Sequence, residues 1–174
     1  VFEQVNLVLD TDWRLGLIGR NGRGKTTFLR LLKGELLPDR GTIAAEAEME
    51  YFPYEYHTEY VVTMDVMKEL VGSLKSMEDA MERLLTDPNP ENLEQYGDIQ
   101  ERYQTAGGYE MEGRIGRELY LMGLPEELLA RDFAVLSGGE RTKLLLIALF
   151  LRPNSFILMD EPTNHLDIRG KQAV

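Results

Sequence analysis

The chain has 174 residues, 43% of them hydrophobic, and sets 30 acidic against 19 basic side chains for a net charge of −11. That is enough apolar material for one globular domain with room for a subdomain, while the acidic balance argues against a broad grip on nucleic-acid phosphates by this segment itself. The absence of cysteine excludes disulfides and thiolate metal or redox centres, and the most apolar run, Leu144–Leu151, is too short to cross a bilayer, so no membrane insertion and a cytoplasmic location are expected.

In chain order, Arg14–Ile18 (RLGLI) reads as a short buried strand, Gly19–Thr26 (GRNGRGKT) as a glycine-rich turn, and Thr26–Leu32 as a helix stopped by Gly34. The turn fits G-x-x-x-x-G-K-[ST], a phosphate-cradling pattern whose glycines let successive backbone N–H groups face phosphate oxygens at the positive end of a helix. Lys25 is expected to reach the β and γ phosphates and the Thr26 hydroxyl to ligate Mg²⁺. The stretch Arg14, Arg20, Arg23, Lys25, Arg30 and Lys33 is locally basic on an acidic chain, which a polyphosphate ligand explains; a solvated basic helix face accounts for Arg30 and Lys33 equally well.

Further strands are expected at Thr42–Ala45 and Met49–Phe52. The chain then changes character, and residues 61–135 read as consecutive amphipathic helices. Thr63 is expected to cap a helix running to Val71 and ended by Gly72. Ser76 and Asp79 have capping-box spacing before an apolar face of Met77, Ala80, Met81, Leu84 and Leu85. The turn Asp87-Pro-Asn-Pro90 leads to a helix with Leu93, Tyr96 and Tyr103, closed by Gly107-Gly108. Met111, Ile115, Leu119 and Met122 recur at helical spacing until Gly123 and Pro125. These methionine and aromatic stripes are read as core packing.

Leu136-Ser137-Gly138-Gly139-Glu140 opens a helix to Leu151. Ser137 and Glu140 again have capping-box spacing, but two glycines inside a helix start cost about 1 kcal/mol each against alanine. A bare helix N-terminus with glycine N–H groups suits a phosphate, and one other than that enclosed by the first loop, so a second copy of the domain is expected to complete the site. Ser155–Met159 is an apolar run of strand length that ends in Asp160-Glu161. Asp160 fits a Mg²⁺-holding role and Glu161 is placed to orient or deprotonate an attacking water; the bland alternative is two acids closing a buried strand.

With GRNGRGKT, LSGGE and FILMDEPTNHLD in this order, essentially the whole chain resembles the nucleotide-binding domain of the ABC ATPases. The resemblance implies an α/β fold, a P-loop NTPase core of strands around the phosphate loop with an inserted helical subdomain. The split core would be residues 1–60 and 136–174, and the subdomain residues 61–135. Gly19, Arg20, Asn21, Gly22, Arg23, Gly24, Lys25, Thr26 and Thr27 match the Walker A loop, Ser137, Gly138, Gly139 and Glu140 the signature, and Phe156–Asp160 the Walker B strand. Glu161 matches the catalytic glutamate, beside Lys25, and Asn164–Asp167 the D-loop, with Asp167 among the nucleotide contacts. ATP and Mg²⁺ are the implied cofactors, and a second cassette packed head to tail the implied partner.

Glu161-Pro-Thr-Asn-His-Leu-Asp167 further resembles the ABC-F group, which acts on the ribosome, and Asp12–Ile18, Gly19–Gly24 and Tyr51-Phe-Pro-Tyr54 look most similar to its antibiotic-resistance type. The resemblance then implies an N-terminal cassette that closes on ATP in a translation factor or an antibiotic ribosomal-protection protein, with ribosome contacts made by segments outside this chain. The alternative is the nucleotide-binding subunit of a membrane transporter. The pattern departs at Tyr54, where the family's Q-loop carries glutamine; Glu55 or a water takes over that contact, or this is the slower site of a pair. His57 and His165 match no switch histidine. The base-stacking aromatic and that histidine are expected before Val1 and after Val174, so the chain reads as a cassette truncated at both ends, with negligible turnover alone.

Overall fold

The structure is a computed structural model that describes residues 2–10, 13–20, 22–153 and 155–160. The described residues fall into two compact units: those of Val1–Tyr54 with Asn154–Pro162, and those of Glu55–Pro153. As in the family it resembles, helix and strand are mixed.

In the first unit, helix α1 (Lys25–Lys33) packs on a two-stranded parallel sheet of β1 (Glu48–Phe52) and β2 (Ser155–Met159). The register pairs Glu48 with Ser155 and Phe52 with Met159, and the Asp160 N–H extends the ladder by donating to the Phe52 carbonyl at 2.9 Å. Parallel neighbours need a long crossover, and here Glu55–Pro153 of the second unit lies in sequence between the two strands. Gly34 ends α1 at φ 81°, while the Glu35 N–H reaches back to the Arg30 carbonyl, so the expected glycine stop is present. Lys33 Nζ donates to the Met49 carbonyl and ties the helix end to β1.

The expected strands at Arg14–Ile18 and Thr42–Ala45 are not formed. Neither segment has ladder partners among the described residues, and Ile18 is 96% exposed instead of buried. An apolar run becomes a strand only by pairing its N–H and C=O groups with a neighbour. Among the described residues only β1 and β2 do so, and their joining of two distant segments lies beyond local pattern.

The second unit consists of α2 (Thr63–Gly72), α3 (Leu74–Thr86), α4 (Pro90–Thr105), α5 (Gly108–Leu121), two 3-10 turns (Glu126–Ala130 and Phe133–Val135) and α6 (Gly138–Leu151). Its core is built by Val66, Met67 and Leu70 of α2, Leu74 of α3, Met111, Ile115 and Leu119 of α5, and Leu144, Leu146, Ile147 and Leu149 of α6. The stripe on α5 is thus core, as its spacing predicts. The face on α3 is only half covered, with Leu85 exposed, because α3 packs chiefly on α4.

Two expected caps are replaced by contacts distant in sequence. Thr63 is the first helical residue of α2, and its N–H and hydroxyl both donate to the Arg131 carbonyl, at 2.9 and 2.8 Å. Ser76 is already inside α3, where its N–H and hydroxyl bond a carboxylate oxygen of Glu69 on α2, at 3.0 and 2.9 Å. A long acidic side chain from the preceding helix therefore does the work expected of Ser76 and Asp79. The start of α4 follows local rules: Asn89 accepts the Asn92 N–H at 3.0 Å with Pro90 at the first position.

Behind α2 lies a polar knot. Lys68, 7% exposed, donates to both oxygens of Glu78 at 2.9 and 3.2 Å and pairs with Glu112 at 2.5 Å. The Tyr103 hydroxyl donates to Glu78 at 2.6 Å, and burial followed by this bond to a carboxylate pushes its pKa far up. The same ring lies on Gly108, where a Cβ would come within 2.4 Å of it. Only glycine fits there.

Candidate functional site

The loop reads into α1 through Gly24, which caps the helix at φ 93°, a left-handed conformation that glycine adopts without strain. A glycine cap offers no side-chain acceptor, so the first turn of α1 carries its positive end and its N–H groups without the oxygen that Ser or Asp would bring. Gly22, at φ 76°, supplies a second left-handed bend. Lys25 folds over the turn, and its Nζ donates to the Gly19 carbonyl at 2.8 Å and the Arg20 carbonyl at 3.3 Å. The ammonium therefore sits at the loop's mouth, within a side-chain rotation of an anion held there.

One residue on, the Thr26 hydroxyl donates to Asp160 Oδ2 at 2.6 Å across 134 residues of sequence. Two motifs that the sequence offers separately meet here. The ladder bond from the Asp160 N–H fixes the backbone of that aspartate, and α1 against the sheet fixes Thr26. A hydroxyl and a carboxylate are hard oxygen donors of the kind Mg²⁺ takes. Among the described residues no group of three or more acidic or histidine side chains could hold a metal by itself. A magnesium ion at this pair would take the rest of its shell from other oxygen donors, and phosphate oxygens and water are its common partners in nucleotide sites.

The sequence reading missed Tyr51. Its hydroxyl donates at 2.9 Å to the same Asp160 oxygen that Thr26 bonds, and burial followed by that bond raises its pKa. The tyrosine stands in β1 opposite Leu158, two positions before Asp160. Only the register of two strands remote in sequence puts it there. Tyr54, where glutamine was expected, stands edge-on to Phe52 with ring centroids 6.4 Å apart.

In the second unit, Ser137 and Glu140 form the expected capping box. Ser137 Oγ accepts the Glu140 N–H at 3.3 Å, and the Glu140 carboxylate accepts the Ser137 N–H at 2.7 Å. These bonds hold the Glu140 carboxyl below its ordinary range. A Cβ on Gly138 or Gly139 would meet nothing within 4 Å, so packing within the unit does not demand glycine at either position. Asn21, Glu161, Asn164, His165 and Asp167 lie outside the described residues.

No helix among the described residues is long and apolar enough to cross a membrane. A family profile described as ABC transporter matches residues 2–164. The chain is 35% identical, over 98% of its length, to the tylosin resistance ATP-binding protein TlrC of Streptomyces fradiae, of which it spans 33%. It is 34% identical, over 89% of its length, to the ABC transporter F family member 2 of Dictyostelium discoideum, of which it spans 26%. A solved structure titled as a model of ribosome-bound archaeal Pelota and ABCE1 covers 90% of this chain and 21% of its own at 27% identity, with a TM-score of 0.53. The chain thus spans a third or less of these relatives. With a profile match over nearly its whole length, the phosphate loop on α1 and the strand ending in Asp160, the chain belongs to the ABC transporter family, as an ATP-binding domain of the P-loop NTPase fold.

Proposed function

We propose that this domain binds ATP with Mg²⁺ and hydrolyses it as one of two cassettes of a longer protein that works on the ribosome. The observation that carries the nucleotide part is the 2.6 Å bond between Thr26 and Asp160 at the head of the phosphate loop. Gly19–Gly24 and the first N–H groups of α1 cradle the phosphates, and Lys25 turns from the loop carbonyls to the β and γ oxygens. Thr26 and Asp160 hold the Mg²⁺, which neutralises charge developing on the transferring phosphoryl. Thr27 supports the loop, and Glu161 orients the attacking water. Asp167 completes the contacts near the nucleotide.

Ser137–Glu140 serve the ATP held by the second cassette. The absence of any packing demand for glycine at 138 and 139 supports a backbone approached by something outside the unit. In functional terms the ATPase core is 1–60 with 136–174, and 61–135 is the helical subdomain.

The ribosomal reading draws on the printed names of relatives: tylosin resistance for one, and a ribosome-bound assembly for a neighbouring fold. The net charge of −11 fits a domain whose RNA contacts are made by other segments, in the cytoplasm. The test uses the full-length parent with Glu161→Gln and the matching change in its other cassette. Co-sedimentation with ribosomes in ATP but not in ADP is expected. Recovery with membranes and not with ribosomes would overturn the reading in favour of a transporter subunit. The isolated 174-residue chain is expected to show negligible turnover, and robust hydrolysis by it alone would refute the two-cassette requirement.

A further inference from the structure

We infer that Tyr51 is a positioning residue for the metal-binding carboxylate, and that its hydroxyl holds Asp160 in place for Mg²⁺ while Thr26 turns to the metal. This rests on the reading of Thr26 and Asp160 as the Mg²⁺ pair.

Asp160 Oδ2 takes two hydroxyl donors, Thr26 at 2.6 Å and Tyr51 at 2.9 Å. The two donors differ in what a metal asks of them. Thr26 is a ligand of the ion in the proposed site, and its oxygen must direct a lone pair at the cation. Ligation through a lone pair leaves its one proton free to donate to Asp160, but the geometry of that bond is then set by the metal. Tyr51 has no such second duty. It sits on β1, its ring half-buried, and its backbone is locked by the ladder opposite Leu158. Its hydrogen bond to the carboxylate therefore survives metal binding and keeps the remaining Asp160 oxygen aimed.

The bond also has a definite energetic sense. A phenol donating to an ionised carboxylate is a charge-assisted bond, stronger than one between neutral groups. Half-burial removes competing water, and without this donor the carboxylate would be free to rotate about its χ torsions toward solvent. Outer-shell partners of metal ligands commonly matter by 10–100-fold in metal affinity or activity. The rigid platform beneath Tyr51 suits that role. The Asp160 N–H is bonded to the Phe52 carbonyl, so ligand and positioning residue are carried by two adjacent, paired strand ends.

The experiment is Tyr51→Phe in the full-length parent, with the phosphate-loop lysine of the other cassette substituted so that only this site is read. Binding of a fluorescent ATP analogue is titrated first without divalent cation and then against Mg²⁺. The expected result is unchanged metal-free binding together with an increase of about ten-fold in the Mg²⁺ concentration needed for the metal-dependent gain. An unchanged Mg²⁺ requirement overturns the inference and leaves the ATP reading standing. Loss of metal-free and metal-dependent binding together also overturns it, since that marks a structural defect and not one of carboxylate aim. If the unsubstituted tyrosine protein shows no Mg²⁺-linked nucleotide binding, the underlying ATP reading fails, and this inference with it.

Discussion

The two units of this chain are built on opposite economies. The helical unit buries Met67, Leu74, Met111, Ile115, Leu119, Leu144, Leu146, Ile147 and Leu149 almost completely and ties its helices together through Lys68, Glu78, Glu112 and Tyr103. The unit with the phosphate loop buries Leu29, Phe52 and Leu158, while Leu15, Leu17 and Ile18 stay exposed. Apolar burial is the main source of stability, and the bonded Thr26–Asp160 pair lies in the unit with less of it. Among its side-chain bonds, two meet on one Asp160 oxygen and two leave the Lys25 ammonium. The lesson is that the helical unit combines an extensive apolar core with one buried polar knot, whereas in the phosphate-loop unit the polar contacts at Asp160 and Lys25 accompany a smaller buried set.

The largest expected effect tests the polar side of this contrast. Lys25→Ala in the full-length parent should lower ATP turnover by this cassette by about 10²–10³-fold, the scale seen when one preorganised charge-stabilising donor is removed. Far-UV circular dichroism should be unchanged, because among the described residues the Lys25 ammonium bonds carbonyls of its own loop. The matching test of the packed side is Gly108→Ala. A Cβ within 2.4 Å of the Tyr103 ring must displace a side chain that is 5% exposed and bonded to Glu78. The expected loss is on the order of 3 kcal/mol, read as a lower denaturant midpoint with nucleotide affinity unaltered.

Hydrogen exchange sharpens the comparison. ATP at about 100 times its Kd should protect amides of Thr26–Leu32 and Glu48–Phe52 by up to about 2.7 kcal/mol, with α5 changing little. Equal protection of both units would break the proposed division.

The smallest effect concerns Glu140. Its folded pKa is lowered by the bonds to Ser137, so the stability it contributes is complete above the ordinary carboxylate range and is lost as pH falls through the lowered value. Glu140→Gln should cost under about 1 kcal/mol near neutrality. It should also flatten the acid limb of a stability-against-pH curve below about pH 4.5. A steeper acid limb in the variant would contradict the capping box as its cause.

Particular residues show where local reasoning reached and where it stopped. The stop of α1 at Gly34, the turn at residues 87–90 before α4, the core stripe of α5 and the Ser137–Glu140 box were all legible, because each depends on residues within one or two helical turns. The beginnings of α2 and α3 were not, since Arg131 and Glu69 supply the bonds from elsewhere. The apolar runs at 14–18 and 42–45 likewise carried strand composition without ladder partners among the described residues.

By itself, then, the sequence determined that this chain has a phosphate loop opening a helix, a second glycine-bearing helix start and an apolar strand ending in acid, because glycine freedom, capping and hydrophobic spacing act locally. Only the tertiary structure decided that Thr26 and Tyr51 share one oxygen of Asp160, and that Tyr103 needs glycine at 108. Those contacts depend on strand register and side-chain packing, which local sequence patterns leave open.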